Sequence, residues 1–279
     1  MKAGVFKKAT IFGGIALAAA VLLSGCGASK SGSDEALSTK EISVGVTAGP
    51  HEQIMENVAK LAKEDGLTIK LTTFDDYNTP NTALNDGDLN SNSYQTIQFL
   101  DQQVEDRGYD IVPAFKTIYA LMGIYSNNVD SVEDIPDGAK IGVPNDPSNE
   151  YRALKLLETA GLIKLKSGLN ESATKNDIAE NPKNLDIQEL EASQIVNQLD
   201  DLSAAVVNGN FAVNAGLSVE DDAIFGEPTE GNEYYNVFAV QKGHKDDEVV
   251  KTIKKYYQSA ENVKYIEDTF KGAIVPAFE

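Results

Sequence analysis

The stretch with the most chemical content among the 279 residues is Val143-Pro144-Asn145-Asp146-Pro147-Ser148-Asn149-Glu150-Tyr151-Arg152. An apolar run ends there, a proline-punctuated turn follows, and a helical pattern opens near Ser148. A helix start offers free backbone N–H groups and a partial positive charge, which suits a carboxylate. Asn149 and Arg152 are three residues apart and so share one face of that first turn. Arg152 can grip a carboxylate bidentately. The same residues also read as a solvated helix start with Ser148 as a plain cap, and this cluster alone does not choose between the two.

A second group, Phe74-Asp75-Asp76-Tyr77-Asn78-Thr79-Pro80-Asn81 with Asn92-Ser93-Tyr94-Gln95-Thr96-Ile97-Gln98-Phe99, places Tyr77, Tyr94 and Phe99 in loops or at helix starts after strands. Rings in such places can wall an apolar pocket, although a single ring more often belongs to the core. Asn208 follows the apolar run Ala204 to Val207, and Asn236 opens the run Asn236 to Gln241. Asparagine at a strand end is usually a turn residue. The alternative is an amide oxygen that accepts from a ligand ammonium group.

Catalytic constellations are missing from the sequence. The two histidines are His51, at the start of the first helical pattern, and His244, whose charged neighbours Lys245 and Asp246 predict exposure. There is no Gly-x-Ser-x-Gly elbow, no Gly-x-x-x-x-Gly-Lys phosphate loop and no His-Glu-x-x-His zinc pattern. Abundant carboxylates leave a paired-acid hydrolase open by count, but the chain has no tryptophan to stack a sugar. The expectation is a binder with no catalytic residue, no metal and no cofactor.

These residues need elements to hold them. Glu41 to Thr47 alternates as a strand, Gly49-Pro50 opens a helix that Gly66 stops, and Leu67 to Phe74 alternates again. This strand–helix–strand unit implies a parallel pair with a right-handed crossover. Helices follow from Pro80 through Leu84 and from Ile97 to Arg107, then short strands at Ile111-Val112 and Ile118 to Tyr125. Asp130 to Gly138 reads as a boundary. Beyond it come a strand Lys140 to Val143, a helix Ser148 to Ala160, strands at Leu185–Leu190 and Ala204–Val207 with a short helix Ser193–Leu199 between, a strand Asn236–Gln241, and helices at Asp246–Tyr257 and Val263–Phe270. The pattern predicts two α/β lobes, 41–129 plus 237–279 and 130–236, with the ligand cleft between them.

The N-terminus reads as a targeting segment. Lys2, Lys7 and Lys8 precede the apolar run Ile11 to Leu23, which is shorter than a comfortable membrane span. Leu23-Ser24-Gly25-Cys26 then fits a lipobox, with cleavage after residue 25 and acyl chains on Cys26, the only cysteine of the chain. A leftover thiol calls for an explanation, and a lipid anchor supplies one better than a chance cysteine after an ordinary signal. Residues 26–40, rich in Ser, Gly and Ala, should form a flexible tether. The net charge of −19 disfavours nucleic acid and anionic lipid as partners.

Taken together, these clusters resemble the NlpA/MetQ family of lipoproteins, the substrate-binding components of methionine-type ABC importers. The likeness runs from about Ile42 to Phe278. It is carried by Val44-Gly45-Val46, Gly49-Pro50-His51, Phe74-Asp75-Asp76-Tyr77, Pro80-Asn81, Leu100-Asp101-Gln102, Val143 to Asn149 with Arg152-Ala153-Leu154, and Glu180-Asn181-Pro182-Lys183-Asn184-Leu185. The resemblance implies a two-lobe periplasmic-binding-protein fold. It also implies a monomer that binds L-methionine or a related amino acid and delivers it to a permease driven by an ATPase. By the same likeness Arg152 holds the carboxylate, Asn208 and Asn236 the polar head, and Tyr77, Tyr94 and Phe99 the side chain, with Asn149 a further ligand residue. The sequence departs from the family at Thr96, where methionine-binding relatives carry His, and at Phe99, which lacks a Tyr hydroxyl. Thr96 would leave room for a larger ligand, such as a methionine-containing dipeptide or another amino acid. A surface adhesin on the same fold is the rival from another class, and it predicts loss of the polar head-group residues.

Overall fold

The computed structural model describes residues 35–170 and 173–278. The targeting segment, Cys26 and most of the tether lie outside the described residues. The expected tether nevertheless ends earlier than residue 40, because the Leu37 N–H donates to Asp247 Oδ2 at 2.8 Å and the Leu37 side chain packs against the first core.

The chain begins with β1 (Glu41–Thr47), α1 (Pro50–Lys63) and β2 (Thr68–Phe74). Ile42, Val44 and Val46 of β1 meet the buried face Ile54, Met55, Val58 and Ala62 of α1 in one core. β1 and β2 pair in parallel over their full length, as the strand–helix–strand pattern predicts. Next come α2 (Thr79–Asp86), β3 (Ser91–Thr96), α3 (Ile97–Arg107) and β4 (Ile111–Ala120). β3 was not legible as a strand. Its sequence is polar, yet all six of its residues are buried. Side-chain amides make this possible, with Asn92 Nδ2 and Gln95 Nε2 both donating to Asn81 Oδ1 (2.8 and 2.7 Å) and Asn81 Nδ2 donating to Gln95 Oε1 (2.7 Å). A buried polar network of this kind is tolerable only because its members satisfy one another.

The run Ile118 to Tyr125 is not one strand. β4 ends at Ala120, and β5 (Gly123–Tyr125) pairs in a different sheet. The chain therefore leaves the first sheet at Leu121-Met122, several residues before the boundary expected at 129. The chain continues with β6 (Lys140–Pro144) of the second sheet, α4 (Pro147–Thr159), a separate two-stranded sheet of β7 (Lys164–Leu165) and β8 (Ile178–Glu180), then β9 (Asp186–Leu190) beside β6. The expected helix Ser193–Leu199 is two 3-10 stretches, Ala192–Gln194 and Val196–Asp201. β10 (Ala204–Val207), α5 (Gly209–Asn214) and β11 (Ala223–Gly226) complete this part.

The return crossover is 227–234, after which β12 (Tyr235–Gln241), α6 (Glu248–Tyr257), α7 (Ala260–Phe270) and β13 (Ile274–Pro276) rejoin the first sheet. The strand orders are β13-β4-β12-β3-β1-β2 and β11-β5-β10-β6-β9. Each sheet carries its own apolar core. His244 is buried rather than exposed, because the 3-10 turn Lys242–His244 brings its Nδ1 to 2.9 Å from Asp247 Oδ2. No helix among the described residues is long and apolar enough to cross a membrane.

Candidate ligand-binding site

The start of α4 is built from its sequence. Pro147 occupies the first turn, where its missing N–H is harmless. Asp146, and not Ser148, is the cap. Its carboxylate accepts from the Asn149 N–H at 3.0 Å and from Asn149 Nδ2 at 2.9 and 3.1 Å. Burial pushes the Asp146 carboxyl up to about 6 despite these donors. Asn149 Oδ1 in turn accepts from Asn208 Nδ2 at 2.8 Å. The amide of Asn149 is thus fully engaged within the protein, and the chain of bonds ends on Asn208 Oδ1, which is buried and has no partner.

Arg152 lies one turn further on and is 3% exposed. Its Nε and Nη2 donate to the two carboxylate oxygens of Glu227 at 2.7 and 2.5 Å, and Nη2 also donates to the Ala120 carbonyl at 3.0 Å. The ring of Tyr234 lies 4.6 Å from the guanidinium carbon. Burial works against the guanidinium charge, but Glu227 beside it prevails and holds the pKa above its ordinary value. The bidentate edge of Arg152 is therefore occupied by Glu227. The two N–H groups of Nη1 are used by neither Glu227 nor the Ala120 carbonyl. Glu227 also accepts from the Met122 N–H at 2.9 Å, so it joins both crossover segments to Arg152.

From the other sheet, Asn236 Nδ2 lies 2.8 Å from His51 Nε2 and donates to the Tyr94 carbonyl at 3.3 Å, while Asn236 Oδ1 is buried without a partner. Tyr77 OH donates to Asn210 Oδ1 at 2.5 Å, leaving Asn210 Nδ2 buried and unpartnered, and Tyr94 OH donates to the Tyr77 carbonyl at 2.7 Å. Burial raises the pKa of both phenols, so both stay neutral. With their hydroxyls occupied, Tyr77 and Tyr94 offer only ring surface. Phe99 stands edge-on to both, and Phe211 stacks on Tyr77 at 4.9 Å between centroids. Thr96 Oγ1 accepts from the Phe99 N–H at 3.2 Å, capping α3.

One cavity collects all of this. Tyr77, Tyr94, Thr96, Phe99, Asn149, Arg152, Asn208 and Asn236, the eight residues singled out from the sequence, all line it, and the empty space among its lining atoms is about 310 Å³. Sequence reasoning missed Gln95, Ala120, Gly209 and Asn210 in the lining, and Glu227 behind Arg152. Gly209 has a steric reason to be there, since a Cβ on it would stand 2.5 Å from the Leu121 carbonyl oxygen. The dipeptide Asn208-Gly209 after a buried strand was a usable signal for a close approach. For Glu227 there was none, because nothing local sets it apart from the other 42 acidic residues.

Buried polar groups normally find partners. Two amide oxygens and one amide nitrogen without partners, beside a buried guanidinium and a cluster of rings in one cavity, define a protein that encloses a small polar-headed molecule. A family model described as NlpA lipoprotein matches residues 42–278, and the chain belongs to that family. A D-methionine-binding lipoprotein MetQ of Escherichia coli K12 is 40% identical over 264 residues, covering 93% of this chain and 94% of the relative. A probable counterpart in Vibrio cholerae is 40% identical over 262 residues, with 93% and 94% covered. A nutrient-binding protein from Burkholderia cenocepacia, solved bound to methionine, superposes with a TM-score of 0.83 at 48% identity, covering 85% of this chain and all of that one.

Proposed function

We propose that this chain is the lipid-anchored solute-binding subunit of an ABC importer, and that its cavity holds the zwitterion of one apolar amino acid, methionine foremost. The observation that carries this reading is the set of unpartnered buried atoms. Asn208 Oδ1 and Asn236 Oδ1 are acceptors for an ammonium group and Asn210 Nδ2 is a donor for a carboxylate, beside the Arg152 guanidinium, whose Nη1 is used by neither Glu227 nor the Ala120 carbonyl. The rings of Tyr77, Tyr94 and Phe99, stripped of free hydroxyls, suit a thioether or hydrocarbon chain. Acceptors and donors line the same cavity, which suits the zwitterion of a single amino acid; a methionine-containing dipeptide is the alternative that the ligand panel separates. Retention of the head-group residues disfavours the adhesin alternative. The two sheets are read as lobes that close on the ligand, and Cys26 as the acylated residue that keeps the monomer at the outer face of the membrane, beside a permease whose ATPase powers uptake.

A thermal-shift panel of amino acids and methionine dipeptides on the anchor-free protein tests this. Methionine at 100 times its dissociation constant should add about 2.7 kcal/mol of stability. A flat response to every amino acid would refute the reading.

A further inference from the structure

The cavity offers Asn236 Oδ1 as an acceptor only because something fixes the amide. A primary amide can turn over, and turned over it would present a donor that repels an ammonium group. The Tyr94 carbonyl, 3.3 Å from Asn236 Nδ2, can only accept. It therefore requires nitrogen on its side, and His51 Nε2, at 2.8 Å from the same nitrogen, must accept as well. The proton of the neutral imidazole then resides on Nδ1, which faces Thr47 Oγ1 at 2.8 Å. His51 is 1% exposed at the start of α1. An imidazolium would put a proton on Nε2 against the Asn236 amino group, and burial pushes the pKa of His51 down to about 3, away from that state.

We infer that His51 is a positioning residue for ligand recognition: by accepting from Asn236 Nδ2 it keeps Asn236 Oδ1 turned to the cavity as an acceptor for the ligand ammonium group. The inference rests on the amino-acid reading above. It assigns a task to a histidine that touches no ligand and belongs to no catalytic group. It also makes the selectivity for an amine a property of the whole series Thr47–His51–Asn236–Tyr94.

The test is titration calorimetry of the wild type, His51→Phe and His51→Gln with methionine and with its α-hydroxy analogue. The wild type should prefer methionine. His51→Phe leaves only the longer Tyr94 contact to hold the amide and should weaken methionine about tenfold or more while changing the hydroxy acid little, so the preference shrinks. His51→Gln, whose Oε1 can accept in place of Nε2, should restore most of it. Equal weakening of both ligands, or an unchanged preference in His51→Phe, would overturn the inference and leave the amino-acid reading intact. Failure of the wild type to bind either ligand would overturn both. Nitrogen NMR of the wild-type imidazole at neutral pH decides the matter even if a variant fails to fold. Protonated Nδ1 with bare Nε2 is expected, and the reverse tautomer contradicts it.

Discussion

Arg152 and Glu227 divide one guanidinium between two tasks. Three of its five N–H bonds hold it to Glu227 and the Ala120 carbonyl, and the remaining two belong to Nη1. A buried pair that loses one partner leaves an uncompensated charge, typically costing about 3–5 kcal/mol. Glu227→Ala should therefore lower the unfolding free energy in urea by about that much. The double variant Arg152→Met with Glu227→Leu should recover much of the stability and still bind no methionine, which separates the structural task from recognition. Asp146 gives a prediction of a different kind. Folding raises its pKa from 3.8 to about 6, so the native state favours the protonated form. Its stabilising contribution is complete below the ordinary value and is lost as pH rises through about 6. Compared at pH values on either side of that range, Asp146→Asn should lose less stability with rising pH than the wild type. Parallel curves would show that the carboxyl is not perturbed.

At the scale of elements, the cavity depends on how closely the start of α5 approaches the crossover from β4. Gly209 makes that approach, and a methyl group there would meet the Leu121 oxygen at 2.5 Å and the Ala120 carbonyl carbon at 2.8 Å. Backbone cannot move aside as a side chain can, so Gly209→Ala should cost about 1–3 kcal/mol and weaken ligand binding through displaced Asn208 and Asn210. Wild-type affinity in that variant would show that the approach is not needed. The start of α3 is a second case. The Thr96 hydroxyl caps the helix there. Thr96→Ala should cost about 1 kcal/mol of stability, read in urea, with a smaller effect on affinity because the hydroxyl faces backbone.

At the scale of the molecule, the sequence was most legible where apolar spacing and helix punctuation agree. β1, α1 and β2 follow from Ile42, Val44 and Val46, from Pro50 and from Gly66, and the parallel pairing followed in turn. Legibility failed where burial is polar. β3 hides behind Asn92 and Gln95, whose burial depends on the amide of Asn81 on α2, a partner that no local pattern reveals. The site residues were legible as types, through rings, amides and one arginine at element ends. Their pairings were not, because Arg152 to Glu227 and His51 to Asn236 span 75 and 185 positions. A crystal structure of the protein grown with methionine tests the central claim most directly. The carboxylate is expected on Arg152 Nη1 and the ammonium group between Asn208 Oδ1 and Asn236 Oδ1, with the thioether against Tyr77, Tyr94 and Phe99. Methionine seated outside this cavity, or inside it with its ammonium group toward Arg152, would contradict the account.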